Sequence, residues 1–324
     1  MVNLVQKYHI DFLEDLEIGQ GRSGKTVENY DRYLRRFYSQ QNIKRLSDIT
    51  SESVRQFRRY LNEVAPHGGE VGVSLATANY HLIALRQFLK YLTKRDIVAL
   101  SPDKVGLAKV GERDIDVLYP EEIDALIASA KLGVADEESG LNLSVLRDSA
   151  MLEVLYSTGM RVAELVSLNR DDLKGRGDGV LESGDDIRNE LAVRGKGSKV
   201  RVVFLSSSTR VAVAQYLKER NYMDPALFIR HSPNSKNSDD MRLTTRSVQR
   251  MIKKYAVMAG LTKKITPHTL RHSFATDLLT NGADVRQVQQ LLGHSSITTT
   301  QVYTHLTDIH LKDVHTRFHR KKKL

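Results

Sequence analysis

In "TPHTLRHSF", residues 266–274, two histidines stand four residues apart with an arginine between them. His268 and His272 share one helical face, a spacing that suits a metal ion, yet Arg271 at i+3 lies on that face too. A fixed guanidinium repels a dication and attracts an anion, and no Glu completes the H-E-x-x-H pattern of zinc proteases. Thr266 as N-cap and Pro267 as first helical residue put His268 and Arg271 in the first turns of a helix, where backbone N–H groups favour an anion. A cation there opposes the helix dipole by a few tenths to about 1 kcal/mol until an anion arrives. Three readings follow, in descending order: an anion site, a structural histidine pair, a metal site.

Other stretches offer single residues of the same kind. In "STGMRVAEL", Gly159 breaks one helix and Arg161 starts the next, although a lone arginine there usually belongs to the surface. "RGKGSKVR" sets Lys196 between two glycines at a turn, where an ammonium projects into solvent or toward a ligand. "LLGHSSITTTQVYTH" ends an apolar helix at Gly293, offers His294, and places Tyr303 nine residues on as a packed aromatic or a nucleophile.

The elements that must position these residues are mostly helices. Val27, Tyr30, Leu34, Phe37 and Tyr38 recur at helical spacing, and Thr50 caps a second helix carrying Val54, Phe57, Leu61 and Val64. After "PHGGEVG", Ser74 or Thr77 starts a third helix with Leu82, Leu85, Phe88, Leu89 and Leu92 facing inward. Residues 1–105 are expected to form a helical domain, 106–116 an extended linker, and 117–324 a second domain with a basic tail. Pro120 opens the second set of helices, and period-two alternation in "ELAVR" and "VRVVFL" around "GKGSK" predicts one strand–turn–strand hairpin. The spans 131–142 and 174–189 look like enlarged loops.

Composition bounds the partners. Forty-nine Lys and Arg against thirty-nine Asp and Glu give a net charge of +10, so the long-range field attracts polyanions, nucleic acid first. With no cysteine, disulfides, thiolate catalysis and cysteine-based zinc sites are excluded. No window approaches 18 uncharged apolar residues, and the amino terminus carries acids where a signal peptide would be apolar, so no membrane contact and a cytoplasmic location are expected.

Taken in order, Arg161, Lys196, His268 with Arg271, His294 and Tyr303 resemble the site of the tyrosine recombinase, or phage integrase, family, and most closely its Xer-type members. The motifs that carry the resemblance are "TGMRVAELVSL", "GKGSKVR", "HTLRHSFATDLLTNGADVRQVQQLLGHSS" and "TTTQVYTH". It implies a mainly α fold: a helical core-binding (SAM-like) amino-terminal domain and a mostly helical catalytic domain with a small antiparallel β hairpin. It implies that Tyr303 attacks DNA to leave a 3′-phosphotyrosine and a 5′-hydroxyl, with no metal or other cofactor. Arg161, Arg271 and His294 would hold the phosphate, Lys196 would protonate the leaving oxygen with Lys199 as the competing choice, and His268 would be the tyrosine's acid/base partner. His272 has no role in that scheme and is expected to be structural. The implied partners are double-stranded DNA with a specific recombination site, a homo- or hetero-tetramer on two duplexes, and an activating DNA translocase; "DIHLKDVHTRFH" is either the carboxy-terminal helix passed to a neighbour or a frayed basic tail. An integrase or transposase of a mobile element shares the same chemistry, a type IB topoisomerase shares the intermediate, and a non-catalytic DNA-binding protein would keep only the fold. The arginine-rich amino-terminal helices and the stretch Arg242 to Arg250 are candidates for reading DNA.

Overall fold

A computed structural model describes residues 4–63, 66–67, 70–111, 116–132, 135–136, 140–174, 183–195, 199–220, 224–231 and 241–293. The chain divides into two compact units, Met1–Arg113 and Asp114–Leu324.

The first unit is built on four helices: α1 (Leu4–Glu14), α2 (Gly24–Gln40), α3 (Ser51–Glu63) and α4 (Leu75–Thr93). Ser23 caps α2 and Ser74 caps α4 by accepting from Thr26 and Thr77 respectively, which decides between the two candidate starts of α4. At α3, Thr50 Oγ1 accepts from the Ser53 N–H at 3.1 Å. Leu34, Phe37, Phe57, Leu61, Leu82, Leu85, Phe88, Leu89 and Leu92 are buried together, so the apolar spacing read from the sequence is the core. Helix α1 adds Val5, Phe12 and Leu16, the last in the π-helical turn Asp15–Gly19 that extends it. Two-residue strands β1 (Pro66–His67) and β2 (Glu70–Val71) pair between α3 and α4. The chain beyond α4 stays fastened to this unit: Val105 is buried, its carbonyl accepts from Arg86, and Asn79 holds both the N–H and the carbonyl of Ala108.

The second unit is also mainly helical. Its helices are α5 (Pro120–Lys131), α6 (Leu143–Thr158), α7 (Val162–Ser167), α8 (Ser207–Glu219), α9 (Thr245–Met258), α10 (Pro267–Thr280) and α11 (Val285–Leu292). Strands β3 (Ala135–Asp136) and β4 (Gly140–Leu141) form a small antiparallel pair within the 131–142 span, and β5 (Glu190–Arg194) and β6 (Val200–Phe204) form the expected antiparallel hairpin, with Val193 opposite Arg201.

Helix α6 is the axis of this unit, packed against α5, α8 and α10 and buried on almost every side from Val145 to Leu155. Its two buried acids are both bonded: Asp148 accepts from Arg147 and from the Tyr255 hydroxyl, and Glu153 accepts from Ser208. Burying a carboxylate without such partners is costly, so these bonds set how α8 and α9 register against α6. No helix among the described residues is long and apolar enough to cross a membrane.

Candidate active site

Gly159 ends α6 in the left-handed conformation, φ 57°, and donates its N–H to the Leu155 carbonyl. A side chain there would overlap the Phe274 ring and press on Leu292, so the position demands glycine for both space and backbone conformation. The turn brings Arg161 to the N-cap of α7, where its backbone N–H donates to Glu164 Oε2 at 2.8 Å and its guanidinium to Oε1 at 3.0 Å.

Thr266 caps α10 by accepting from the Thr269 N–H, and Pro267 opens the helix, as the sequence predicts. Arg271, buried in the helix–helix interface, donates from Nη1 to the Gly159 carbonyl and from Nη2 to the Leu292 carbonyl, both at 2.6 Å. The guanidinium therefore binds the turn that presents Arg161 to the last turn of α11. His268 is exposed one turn earlier. His272 is partly buried, and burial first, then the charges of His268 and Arg271, pushes its pKa down to about 4. It is neutral near pH 7. Among the described residues no group of three or more His, Asp or Glu side chains is arranged to hold a metal ion.

The hairpin enters the same place. Gly195 donates its N–H to the Lys199 carbonyl to close the turn. A Cβ built on Gly195 would lie 3.3 Å from Glu164 Oε1 and 3.6 Å from Arg161 Nη1, which puts the β5 end of the turn beside the Arg161–Glu164 pair. Arg201 completes the cluster from β6, donating from Nη1 and Nη2 to the two oxygens of Glu164 at 2.9 and 2.7 Å and from Nε to the Leu291 carbonyl at 2.9 Å. Burial alone would raise the Glu164 pKa, but the hydrogen bonds from Arg201 and Arg161 outweigh it and hold the carboxyl below its ordinary value. Three arginines converge here with one carboxylate, leaving an excess of positive charge suited to a phosphodiester.

Of the site residues expected from the sequence, Arg161, His268 and Arg271 are described; Lys196, His294 and Tyr303 lie outside the described residues. Glu164 and Arg201 were missed. The signals for them were modest: Glu164 stands three residues after Arg161, where a capping carboxylate belongs, and Arg201 shares the inward face of β6 with Val203. Arg242, one of the candidates for reading DNA, is instead an internal brace, its guanidinium donating to the carbonyls of Val166 and Leu168 and to Asn169. Arg246 and Arg250 on the same segment are exposed.

Residues 116–310 match the model of the phage integrase family, and residues 10–96 match that of the phage integrase N-terminal SAM-like domain. The tyrosine recombinase XerD of Oceanobacillus iheyensis is 35% identical over 321 residues, covering 95% of this chain and 97% of the relative. The tyrosine recombinase XerC of Listeria monocytogenes is also 35% identical, over 317 residues and 97% of each chain. Among solved structures, the XerH site-specific recombinase bound to palindromic difH substrate as a post-cleavage complex aligns with a TM-score of 0.66 at 22% identity, over 91% of this chain and 80% of that one. The Tn1549 transposon integrase in complex with circular intermediate DNA aligns with a TM-score of 0.66 at 17% identity, over 94% of this chain and 98% of that one. The two structural likenesses speak for the fold, and the family models and the curated relatives for descent and activity: the chain belongs to the phage integrase family of tyrosine recombinases and is a site-specific recombinase of the Xer type.

Proposed function

We propose that the chain cuts and rejoins double-stranded DNA at a specific site through a covalent 3′-phosphotyrosyl intermediate on Tyr303. The phenolic oxygen attacks the scissile phosphorus, the bond to the 5′-oxygen breaks, and the tyrosine proton passes to His268. The departing 5′-oxygen is strongly basic and takes its proton from Lys196, the neighbouring Lys199 being the rival donor. Negative charge building on the non-bridging oxygens is held by Arg161, Arg271 and His294. Metal and ATP are not required, because the energy of the broken phosphodiester is kept in the phosphotyrosyl bond and returned on religation.

The observation that carries this reading is the joining of Arg161 and Arg271 through the Gly159 turn, with the end of α11 locked to the same guanidinium. A protein that only bound DNA would gain affinity from exposed cations wherever they lay, whereas here one arginine is tied to the turn that presents another. In the proposed layout residues 1–105 bind the DNA core site, 106–116 link, and 117–324 carry the chemistry. Four protomers, of one kind or two, act on two duplexes in the cytoplasm, and a DNA translocase is a candidate activator. Resolution of chromosome or plasmid dimers is favoured over mobile-element integration because the relatives at 35% identity are XerD and XerC proteins.

The test is a nicked suicide duplex carrying the dimer-resolution site of the host chromosome. The wild-type chain is expected to form a covalent protein–DNA adduct and Tyr303→Phe none. No adduct with wild type, or an equal adduct with the variant, would overturn the mechanism. Exchange between two sites, as opposed to relaxation of supercoils alone, separates recombination from topoisomerase action.

A further inference from the structure

Arg201 does more in this fold than balance a charge. Its side chain is only 9% exposed and its partner Glu164 only 5%. One guanidinium joins three segments that are distant in sequence: β6, on which it sits, the N-terminal turn of α7 through both oxygens of Glu164, and the C-terminal turn of α11 through the Leu291 carbonyl. The contact with α11 is close along its whole length, since a Cβ built on Gly293, which has φ 65°, would fall 2.8 Å from Arg201 Cδ. Glu164 Oε1 is shared between Arg201 and Arg161, at 2.9 and 3.0 Å, so the two guanidinium groups are registered on a single oxygen.

The ends of these segments matter for the chemistry proposed above. Lys196 precedes Arg201 by five residues in the same hairpin, and His294 follows Leu291 by three. Each is separated from an Arg201 contact by only a few peptide bonds. The inward Leu191, Val193 and Val203 of the hairpin are buried in the core of the second unit, while its outward residues Val200, Val202 and Phe204 are exposed. Arg201, opposite Val193 on the inward face, adds the hydrogen bonds that tie the hairpin to Glu164 and to the end of α11.

We infer that Arg201 is a positioning residue for strand cleavage, which holds the Lys196 hairpin in register with Arg161 and with the end of α11. The inference rests on the reading of Lys196 as the acid that protonates the leaving 5′-oxygen. Displacing the hairpin leaves that oxygen without its proton, so the loss should appear in cleavage and not in DNA binding, and it should depend on the leaving group.

Single-turnover adduct formation is measured on two suicide duplexes, one with the natural 5′-oxygen and one with sulfur at that bridging position, a leaving group that needs no proton. DNA affinity is followed in parallel by fluorescence anisotropy. Arg201→Gln is expected to form adduct about 100-fold more slowly on the oxygen duplex, within the range of a lost general acid, while the deficit on the sulfur duplex shrinks to about 10-fold or less. Arg201→Lys, which keeps the charge but not the fork, should fall between wild type and Arg201→Gln. Because Arg201→Gln takes the bidentate partner from a buried carboxylate that then keeps only Arg161, the double variant Glu164→Gln with Arg201→Met removes both charges of that pair and should show the same leaving-group dependence in a folded protein.

Lys196→Ala is the reference. Rescue by sulfur in Lys196→Ala but not in the Arg201 variants overturns this inference alone. Absence of rescue in Lys196→Ala overturns the assignment of the acid and this inference with it. Unchanged cleavage in the Arg201 variants, or a fall matched by an equal loss of DNA affinity, also overturns it.

Discussion

The arginines of the first unit and those of the site in the second unit do opposite work. On α2 and α3, Arg35, Arg55 and Arg59 are paired with acids three or four residues away, at 2.6–2.7 Å, and remain 68–74% exposed. Such pairs exchange readily with water and salt and are worth little to stability. In the second unit Arg271 is buried and the Arg201 side chain only 9% exposed, and their partners are a buried carboxylate and the carbonyls of Gly159, Leu291 and Leu292, contributed by parts of the chain far apart in sequence. The first set leaves charge at the surface for a polyanion to collect. The second joins segments around the proposed phosphate site, and removing one of its members leaves orphaned polar groups in the interior.

The strongest way to break this contrast is Arg271→Ala. Losing both the proposed phosphate contact and the brace between the Gly159 turn and α11, the variant is expected to form covalent adduct at least about 10³-fold more slowly. It should also unfold earlier in urea, because two buried carbonyls lose their donor at about 1–3 kcal/mol each. Arg271→Lys should recover part of the stability and little of the rate, since a point charge cannot serve two carbonyls in the same fork. Adduct formation at the wild-type rate in either variant would put Arg271 with the exposed arginines. Gly159→Ala comes next: overlap with Phe274 and a left-handed backbone should cost about 2–3 kcal/mol in urea unfolding.

How much of this was readable in advance follows the range of the interactions. Caps are local, so Thr266, Pro267 and Ser74 announce α10 and α4 from sequence alone. Helix α1 escaped because His9, which is 3% exposed and bonded to Asp31, interrupts an apolar stripe of Val5, Phe12 and Leu16 with a residue that reads as polar. The linker was expected to begin at residue 106, and the bonds from Asn79 that hold Ala108 to the first unit arise from 29 residues away. At the site, residue types and order pointed to Arg161, His268 and Arg271, whereas Glu164 and Arg201 are 37 positions apart and only the fold makes them partners. Two residues with no distinctive chemistry alone become essential to the geometry when they meet.

Titration sharpens the contrast further. Glu164 has a folded pKa below its ordinary 4.5, so its contribution to stability is present above about that pH and is lost as pH falls through the lowered value. Glu164→Gln should therefore be less stable than wild type near neutrality, and the gap should narrow as pH drops below 4.5 in a series of urea titrations. His272 has the opposite protonation chemistry and the same direction of effect. Its folded pKa of about 4 lies under the unfolded 6.5, so protons bind the unfolded chain more readily and stability declines as pH falls between those values. His272→Gln should flatten the slope in that window while leaving adduct formation at pH 7.5 within about three-fold of wild type, which would mark His272 as structural. An unchanged slope would mean that His272 is well solvated in the folded chain.

The smallest expected effect belongs to the exposed set. Arg59 donates to Glu63 at 2.7 Å with its side chain 74% exposed, and replacing it by alanine should leave the urea midpoint within error of wild type. If Arg59 meets a phosphate, the same replacement should weaken DNA binding uniformly across sequences. The slope of log K against log salt should then become less steep by about one. A variant that instead relaxes the preference for one base of the site would show that Arg59 reads a base edge. A variant that unfolds early would show that the exposed pairs of the first unit are structural after all, and the contrast between the two sets of arginines would be one of degree.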